Sequence, residues 1–292
     1  MPEEPMTCRA ETYRRREHVW FGSTHPFLER AEPPLAPASR ASTYHAHLHG
    51  PLQAVVADHV VNGRVIFPAV GYLEMLRAAA GSGTVLRSVF FLQPLAFDFA
   101  YGIKCAVHDD GFEVYSTDET SENIVMCCTG SLGRHDGWKC VEIPSVRVSA
   151  IAHVVPPCQS YGSCTDAGLQ YGPAFRRLSA AWSDGSTVCA ALQPRRPDMQ
   201  GGVQLHPADL DGAVSTNALL LQSPRSLSAR DTWLPFASNH AQLKEAHGEL
   251  WAVCKRAPCP SSASYAVVLT AARPCMRRSL TRRLPHSRAP TP

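Results

Sequence analysis

No Cys-x-x-Cys pair occurs in these 292 residues, although there are 11 cysteines. Cys127 and Cys128 are adjacent, and "CQSYGSC" and "CKRAPC" lack a His/Cys partner at zinc-finger spacing. That excludes the usual structural zinc patterns and points to free thiols in a reducing compartment. No basic-then-apolar leader opens the chain, and no apolar run is long enough to span a bilayer. The expected location is therefore the cytoplasm. Charge of one sign is also scarce. The net formal charge is +3, and much of that excess lies in "RPCMRRSLTRRLPHSRAPTP", which has arginines and no acid. The rest is close to neutral, so neither a nucleic-acid nor a membrane partner is expected. What is present is 45% hydrophobic residues, enough for one large or two ordinary cores.

Residues 1–24 read as linker, and "RAEPPLAPASRAS" as a proline-rich connector. Residues 41–67 look extended. "PAVGYLEMLRAAAGSG" reads as a helix with Pro68 at its first position, Val70, Leu73, Leu76 and Ala80 on one face, and Gly81 as its stop. Four runs, "VLRSVFF", "PLAFDF", "IKCAVH" and "FEVYST", read as antiparallel strands. The Pro-Pro of "AIAHVVPPCQSYG" is the best internal boundary. After it the order recurs: a Pro-initiated helix in "LHPADLDGAVSTNALLLQ", then strands in "TWLPFASNHAQL", "ELWAVCK" and "SYAVVLT". The organisation expected is a unit at 25–150, a second at 151–272, and a disordered tail at 273–292.

Three constellations could carry chemistry: His59-x3-Gly63-x4-Pro68, Tyr171-Gly172-Pro173-Ala174-Phe175, and His206-Pro207-x-Asp209-Leu210-Asp211. A neutral imidazole at His59 can accept a proton, and a carboxyl at Asp211 in an apolar cleft can donate one. Two such groups flanking a substrate suit an elimination. Residue chemistry alone favours a blander reading, in which His59 is a packed core histidine and Asp211 a helix-dipole partner. Asp209 lies about 200° around the helix from Asp211 and reads as a solvent-facing acid of the first turn. Asp58 should point away from His59. His45, His47 and His49 share a strand face, but no carboxylate or cysteine lies nearby, so no metal site is expected. Trp233 and Phe236 read as core.

Together these motifs resemble the dehydratase domains of polyketide synthases and animal-type fatty acid synthases. His59 to Pro68 resembles the family's first motif. "GLQYGPAF" is similar to its Gly-Tyr-x-Tyr-Gly-Pro-x-Phe segment, "LHPADLDGAVS" to its His-Pro-x-x-Leu-Asp segment, and "WLPF" to its Leu-Pro-Phe segment. The resemblance runs from about His25 to about Ala271, and "TYRRREHVWF" is similar to the linker that precedes such domains.

The resemblance implies an α+β double hotdog, two curved antiparallel sheets each wrapped around a central helix. It implies dehydration of 3-hydroxyacyl thioesters on acyl carrier protein, with His59 as base and Asp211 as acid. Gly63 is implied as the donor to the thioester carbonyl, and Tyr171 as a neighbour of the hydroxyl. Pro68, Gly172 and Ser215 complete the implied substrate contacts. No cofactor is bound directly; the phosphopantetheine arm arrives with the carrier. The partners implied are the carrier and other synthase domains, with a homodimer left open. The chain departs from the family pattern in five places, one of them the Trp-x-x-His segment missing near "IVMCCTGSL". Leu169 stands for the first motif tyrosine, Ser215 for Gln or His, and Ser238 for tryptophan, and the closing strands give way to the arginine-rich tail. Two further readings are a product-template-type cyclase and a non-catalytic structural domain.

Overall fold

The computed structural model describes residues 25–32, 41–81, 83–118, 123–134, 153–195, 202–221, 232, 234–244, 248–256 and 265–271. The expected linker at 1–24 and tail at 273–292 lie outside them, as does Trp233. In chain order the first part holds β1 (Arg30–Glu32), β2 (Ser42–His47), α1 (Pro51–Val56), β3 (Val60–Val61), β4 (Arg64–Val65), α2 (Ala69–Ala80), β5 (Thr84–Phe91), β6 (Gly102–Val107), β7 (Gly111–Thr117) and β8 (Ile124–Arg134). There follow β9 (His153–Val155), α3 (Pro157–Asp166), β10 (Leu178–Ser183), β11 (Thr187–Leu192), α4 (Pro207–Ser215), α5 (Ala218–Leu221), β12 (Ala237–Gln242), β13 (Leu250–Arg256) and β14 (Tyr265–Ala271).

Two sheets organise these elements. A seven-stranded sheet runs β1-β2-β6-β7-β8-β5-β12, and a five-stranded one runs β14-β13-β11-β10-β9. Every pairing in them is antiparallel. Each sheet has a helix packed against it, α2 on the first and α4 on the second. Helix α2 buries Tyr72, Met75 and Leu76 against Leu86 and Ile103 of the first sheet. A fully buried side chain of this kind contributes about 1.5–3 kcal/mol. Helix α4 packs against β11, β13 and β14. The two helices meet at a seam of Val70, Leu205 and Leu210. Because α2 lies between a sheet and another helix, it is buried on more than the one face its periodicity predicts, and Glu74 and Arg77 are buried with it.

Several expectations are corrected. Residues 41–67 are not continuously extended, since Pro51 starts the short helix α1 and a tight hairpin follows. Pro68 is the cap residue of α2 and not its first turn, and Gly81 ends it at φ 87°. "PLAFDF" forms no strand; Phe67 N–H bonds Leu95 O and Phe97 N–H bonds Val65 O, so it lies along the hairpin instead. The Pro-Pro break opens α3. The helical pattern of 205–222 breaks at Thr216, whose hydroxyl donates to Ala213 O. Strand β12 follows the second unit's helix in sequence yet completes the first sheet beside β5.

Candidate active site

His59 sits at the base of the β3–β4 hairpin. Asn62 (φ 48°) and Gly63 (φ 77°) form its two-residue turn. Positive φ at both positions is what a type I′ turn demands, and Asn-Gly is the sequence that adopts it most readily. The ladder pairs Val61 with Arg64 and Val60 with Val65, and Ile66 N–H then donates to His59 O. This puts the His59 ring beside Ile66, whose carbonyl lies 2.7 Å from Nδ1. A carbonyl only accepts, so Nδ1 carries the proton and the neutral ring keeps its lone pair at Nε2. That atom lies 3.9 Å from Asp211 Oδ1, with both side chains buried.

Asp211 is held by α4. His206 caps this helix, its Nδ1 accepting from Ala208 N–H at 3.1 Å. Burial, with help from Arg195, drives the His206 pKa down to about 3, so it stays a neutral acceptor. Burial pushes the Asp211 carboxyl above its ordinary range, against the opposing pull of His59, Tyr171 and Ser215. Ser215, one turn on, lies 3.4 Å from Asp211 Oδ2 and 3.4 Å from the Tyr171 hydroxyl. Burial, then the charge of Asp211, raises the Tyr171 phenol well above its usual value. The rings of Tyr171 and Phe175 flank His59 at centroid distances of 5.6 and 5.3 Å.

The structure thus brings His59, Asp211, Tyr171 and Ser215 together. It does not bring Gly63 to them. Gly63 is at the exposed hairpin tip, four residues on from His59. Its N–H donates to Gln170 Oε1 at 2.7 Å. Pro68 is buried at the start of α2. Gly172 serves packing: a Cβ there would lie 2.4 Å from Asp58 Cγ. Asp58 lies in the turn before β3, and its Oδ2 accepts from Ala174 N–H at 2.6 Å.

Two readings need correction. Asp209 faces away from Asp211, but not into water. It is buried and bonds Arg177 Nε at 2.7 Å and Arg195 Nε at 3.0 Å. A helix enclosed on both sides has no solvent face for it to occupy. Phe236 is 68% exposed, edge-on to Phe90, and is not core. His45 Nε2 lies 2.7 Å from Glu32 Oε1, while His47 and His49 meet the ring of Tyr101. Among the described residues no group of three or more His, Cys, Asp or Glu could hold a metal.

Sequence reasoning missed the Ile66 carbonyl, because a backbone group leaves no residue-type signal. It also missed Phe175 as a neighbour of His59, although the motif contained it. Cys164 and Tyr161 feel the charge of Asp211 as well; burial raises both, to about 11 and about 12.

The polyketide synthase dehydratase domain model matches residues 25–117, and the polyketide synthase dehydratase N-terminal domain model matches 144–272. Polyketide synthase ThaG of Burkholderia thailandensis is 31% identical over 225 residues, 69% of this chain and 4% of that protein. Phenolphthiocerol synthesis polyketide synthase type I Pks15/1 of Mycobacterium bovis is 30% identical over 198 residues, 63% of this chain and 9% of that protein. The chain therefore spans a small fraction of the length of these relatives. Among solved structures, the dehydratase domain from the CurK module of curacin polyketide synthase aligns with TM-score 0.72 at 19% identity, covering 84% of this chain and 92% of that one. The dehydratase domain of RzxB from Pseudomonas fluorescens aligns with TM-score 0.70 at 22% identity, covering 85% and 94%. These likenesses show the double hotdog fold. With family models matching both halves of the chain, it belongs to the polyketide synthase dehydratase family.

Proposed function

We propose that this chain dehydrates 3-hydroxyacyl thioesters carried on an acyl carrier protein, with His59 as base and Asp211 as acid. One observation carries the reading: a buried imidazole with its lone pair fixed at Nε2 lies 3.9 Å from a buried carboxyl. The α-hydrogen and β-hydroxyl of such a substrate hang from adjacent carbons. Two groups this close can reach both from one face. Nε2 takes the α-proton, the C–H electrons form the C=C bond, and the C–O bond breaks. The proton of Asp211 joins the departing hydroxyl to give water. Burial helps, because a carboxyl pushed upward keeps more of its acid form near neutral pH. The site then holds an imidazolium beside a carboxylate, and a proton passing from Nε2 to Oδ1 restores it.

Tyr171 and Ser215 stand on the Asp211 side and would orient the leaving hydroxyl. The Gly63 N–H, engaged with Gln170, is not assigned to the thioester carbonyl. The phosphopantetheine arm would enter with the carrier as part of the substrate. The units at 25–150 and 151–272, with β12 lent to the first sheet, would each supply one member of the pair. We place the reaction in the cytoplasm, beside other synthase domains; among the described residues no helix is long and apolar enough to cross a membrane. The test is the intact mass of an acyl carrier protein loaded with a 3-hydroxyacyl chain. Loss of one water on adding this chain is expected. Unchanged mass across short, medium and long chains would refute the assignment and favour a structural role.

A further inference from the structure

We propose that Asp58, the residue before His59, is a positioning residue that fixes Tyr171 and Phe175 against the His59 ring. Residues 168–172 run antiparallel to the hairpin strand that follows Asp58. Asn62 N–H donates to Gly168 O, Gln170 N–H to Val60 O, and Gly172 N–H to Asp58 O, each at 2.8 Å. This short ladder ties the tyrosine segment to the segment that carries His59. It ends where the chain turns into the single 3-10 turn Pro173–Phe175.

That turn begins with an unsatisfied donor. Pro173 has no N–H, and Phe175 N–H bonds Gly172 O at 3.1 Å, leaving Ala174 N–H without a partner in its own turn. Gly172, the cap residue, has no side chain to offer. Asp58 supplies the missing acceptor from across the chain, with Oδ2 at 2.6 Å from Ala174 N. It reaches there by lying over the bare Cα of Gly172, where any Cβ would come within 2.5 Å of its Oδ1. The glycine and the aspartate are therefore one device.

The device lies between two rings that matter. Tyr171 precedes the clamped residues and Phe175 follows them. The two rings stack at 6.2 Å and 19°, and both flank the His59 imidazole. Arg176 Nε secures the Tyr171 carbonyl at 2.8 Å, so the residues between the rings depend on Asp58. Without the clamp the turn can rotate, and the rings move relative to an imidazole that is itself fixed by Ile66.

Two measurements test this. The kinetic one rests on the dehydratase reading, and the spectroscopic one does not. Aromatic rings at these distances displace the His59 Cε1–H resonance, which can be found among 13 histidines by its disappearance in His59→Ala. In Asp58→Ala that resonance should move toward the value of an isolated histidine. With a carrier-bound 3-hydroxyacyl substrate, kcat should fall roughly 10- to 100-fold while KM changes little, because the change displaces groups beside the reacting atoms. Asp58→Asn keeps an oxygen acceptor and should restore most of both. Asp184 caps a distant turn through Ser186 and Thr187 N–H, so Asp184→Ala is the control for loss of a cap and should change neither. Should Asp58→Ala fail to fold, Asp58→Ser, too short to reach Ala174, is read the same way. A folded variant with an unmoved His59 resonance overturns the proposal. So does a moved resonance with unchanged kcat in a wild type that dehydrates. A wild type that does not dehydrate removes the functional reading and leaves the resonance to decide the clamp.

Discussion

Replacing Glu74 by alanine is expected to remove about 3–5 kcal/mol of folding stability, the cost of leaving a buried charge without its partner. The carboxylate is fully buried on α2. It accepts from Arg77 Nε at 2.6 Å and Nη2 at 2.9 Å, and from the backbone N–H of Gln204 at 2.9 Å and of Leu205 at 3.3 Å. His25 Nε2 adds a contact at 3.3 Å. Alanine leaves the Arg77 guanidinium buried with no counter-charge and orphans two backbone donors just before α4. Each orphaned donor costs about 1–3 kcal/mol, but the terms overlap and do not sum. Glu74→Gln keeps an acceptor oxygen and should lose about half as much as alanine. The sign with pH follows. Burial pushes the Glu74 pKa up, yet hydrogen bonds and charge from His25 and Arg77 outweigh it and the net shift is downward. A lowered carboxylate contributes stability above its unfolded pKa of about 4.3, and loses it as pH falls through the folded value. Urea unfolding at neutral pH and across this acid range measures both effects. A Glu74→Ala loss below about 1 kcal/mol at unchanged m-value would show that Glu74 and Arg77 contribute no more than an exposed pair.

Three further outcomes follow from the same geometry. Gly172→Ala should destabilise by about 1–3 kcal/mol, the cost of overpacking, because its Cβ would meet Asp58 at 2.4 Å; thermal unfolding reads this. Asp209→Ala should lose about 3–5 kcal/mol in urea unfolding, since the Arg177 and Arg195 guanidinium groups are buried beside it. The rate should fall at high pH as Asp211 loses its proton. With the carboxyl raised by burial, the alkaline limb should lie above the ordinary carboxylate range and vanish in Asp211→Asn.

The strands in "VLRSVFF", "IKCAVH" and "FEVYST" and both Pro-initiated helices were legible because hydrophobic alternation and proline punctuation are local. The pair His59 and Asp211 was legible only through the order of motifs, since the two are 152 positions apart and no periodicity links them. Asp209 was misread because helical geometry tells which way a residue faces, not whether protein or water waits there. Here Arg177 and Arg195 did. Phe236 was misread the other way: its size suggested a core, while strand β12 placed it at a sheet edge. Gly63 was expected at the substrate carbonyl. Its Asn-Gly sequence already specified a hairpin tip, which carries the residue away from the ring it follows.

His59, at the base of the β3–β4 hairpin, and Asp211, on α4, are expected to act as one unit. Single-turnover rates on a carrier-bound 3-hydroxyacyl chain, for the wild type, His59→Ala, Asp211→Asn and the double variant, test it most directly. Groups that work in one concerted step are not additive. Each single variant should lose nearly all of the rate, and the double variant should be no slower than the slower single one. Wild-type rates in either single variant, or losses that multiply in the double, would contradict it.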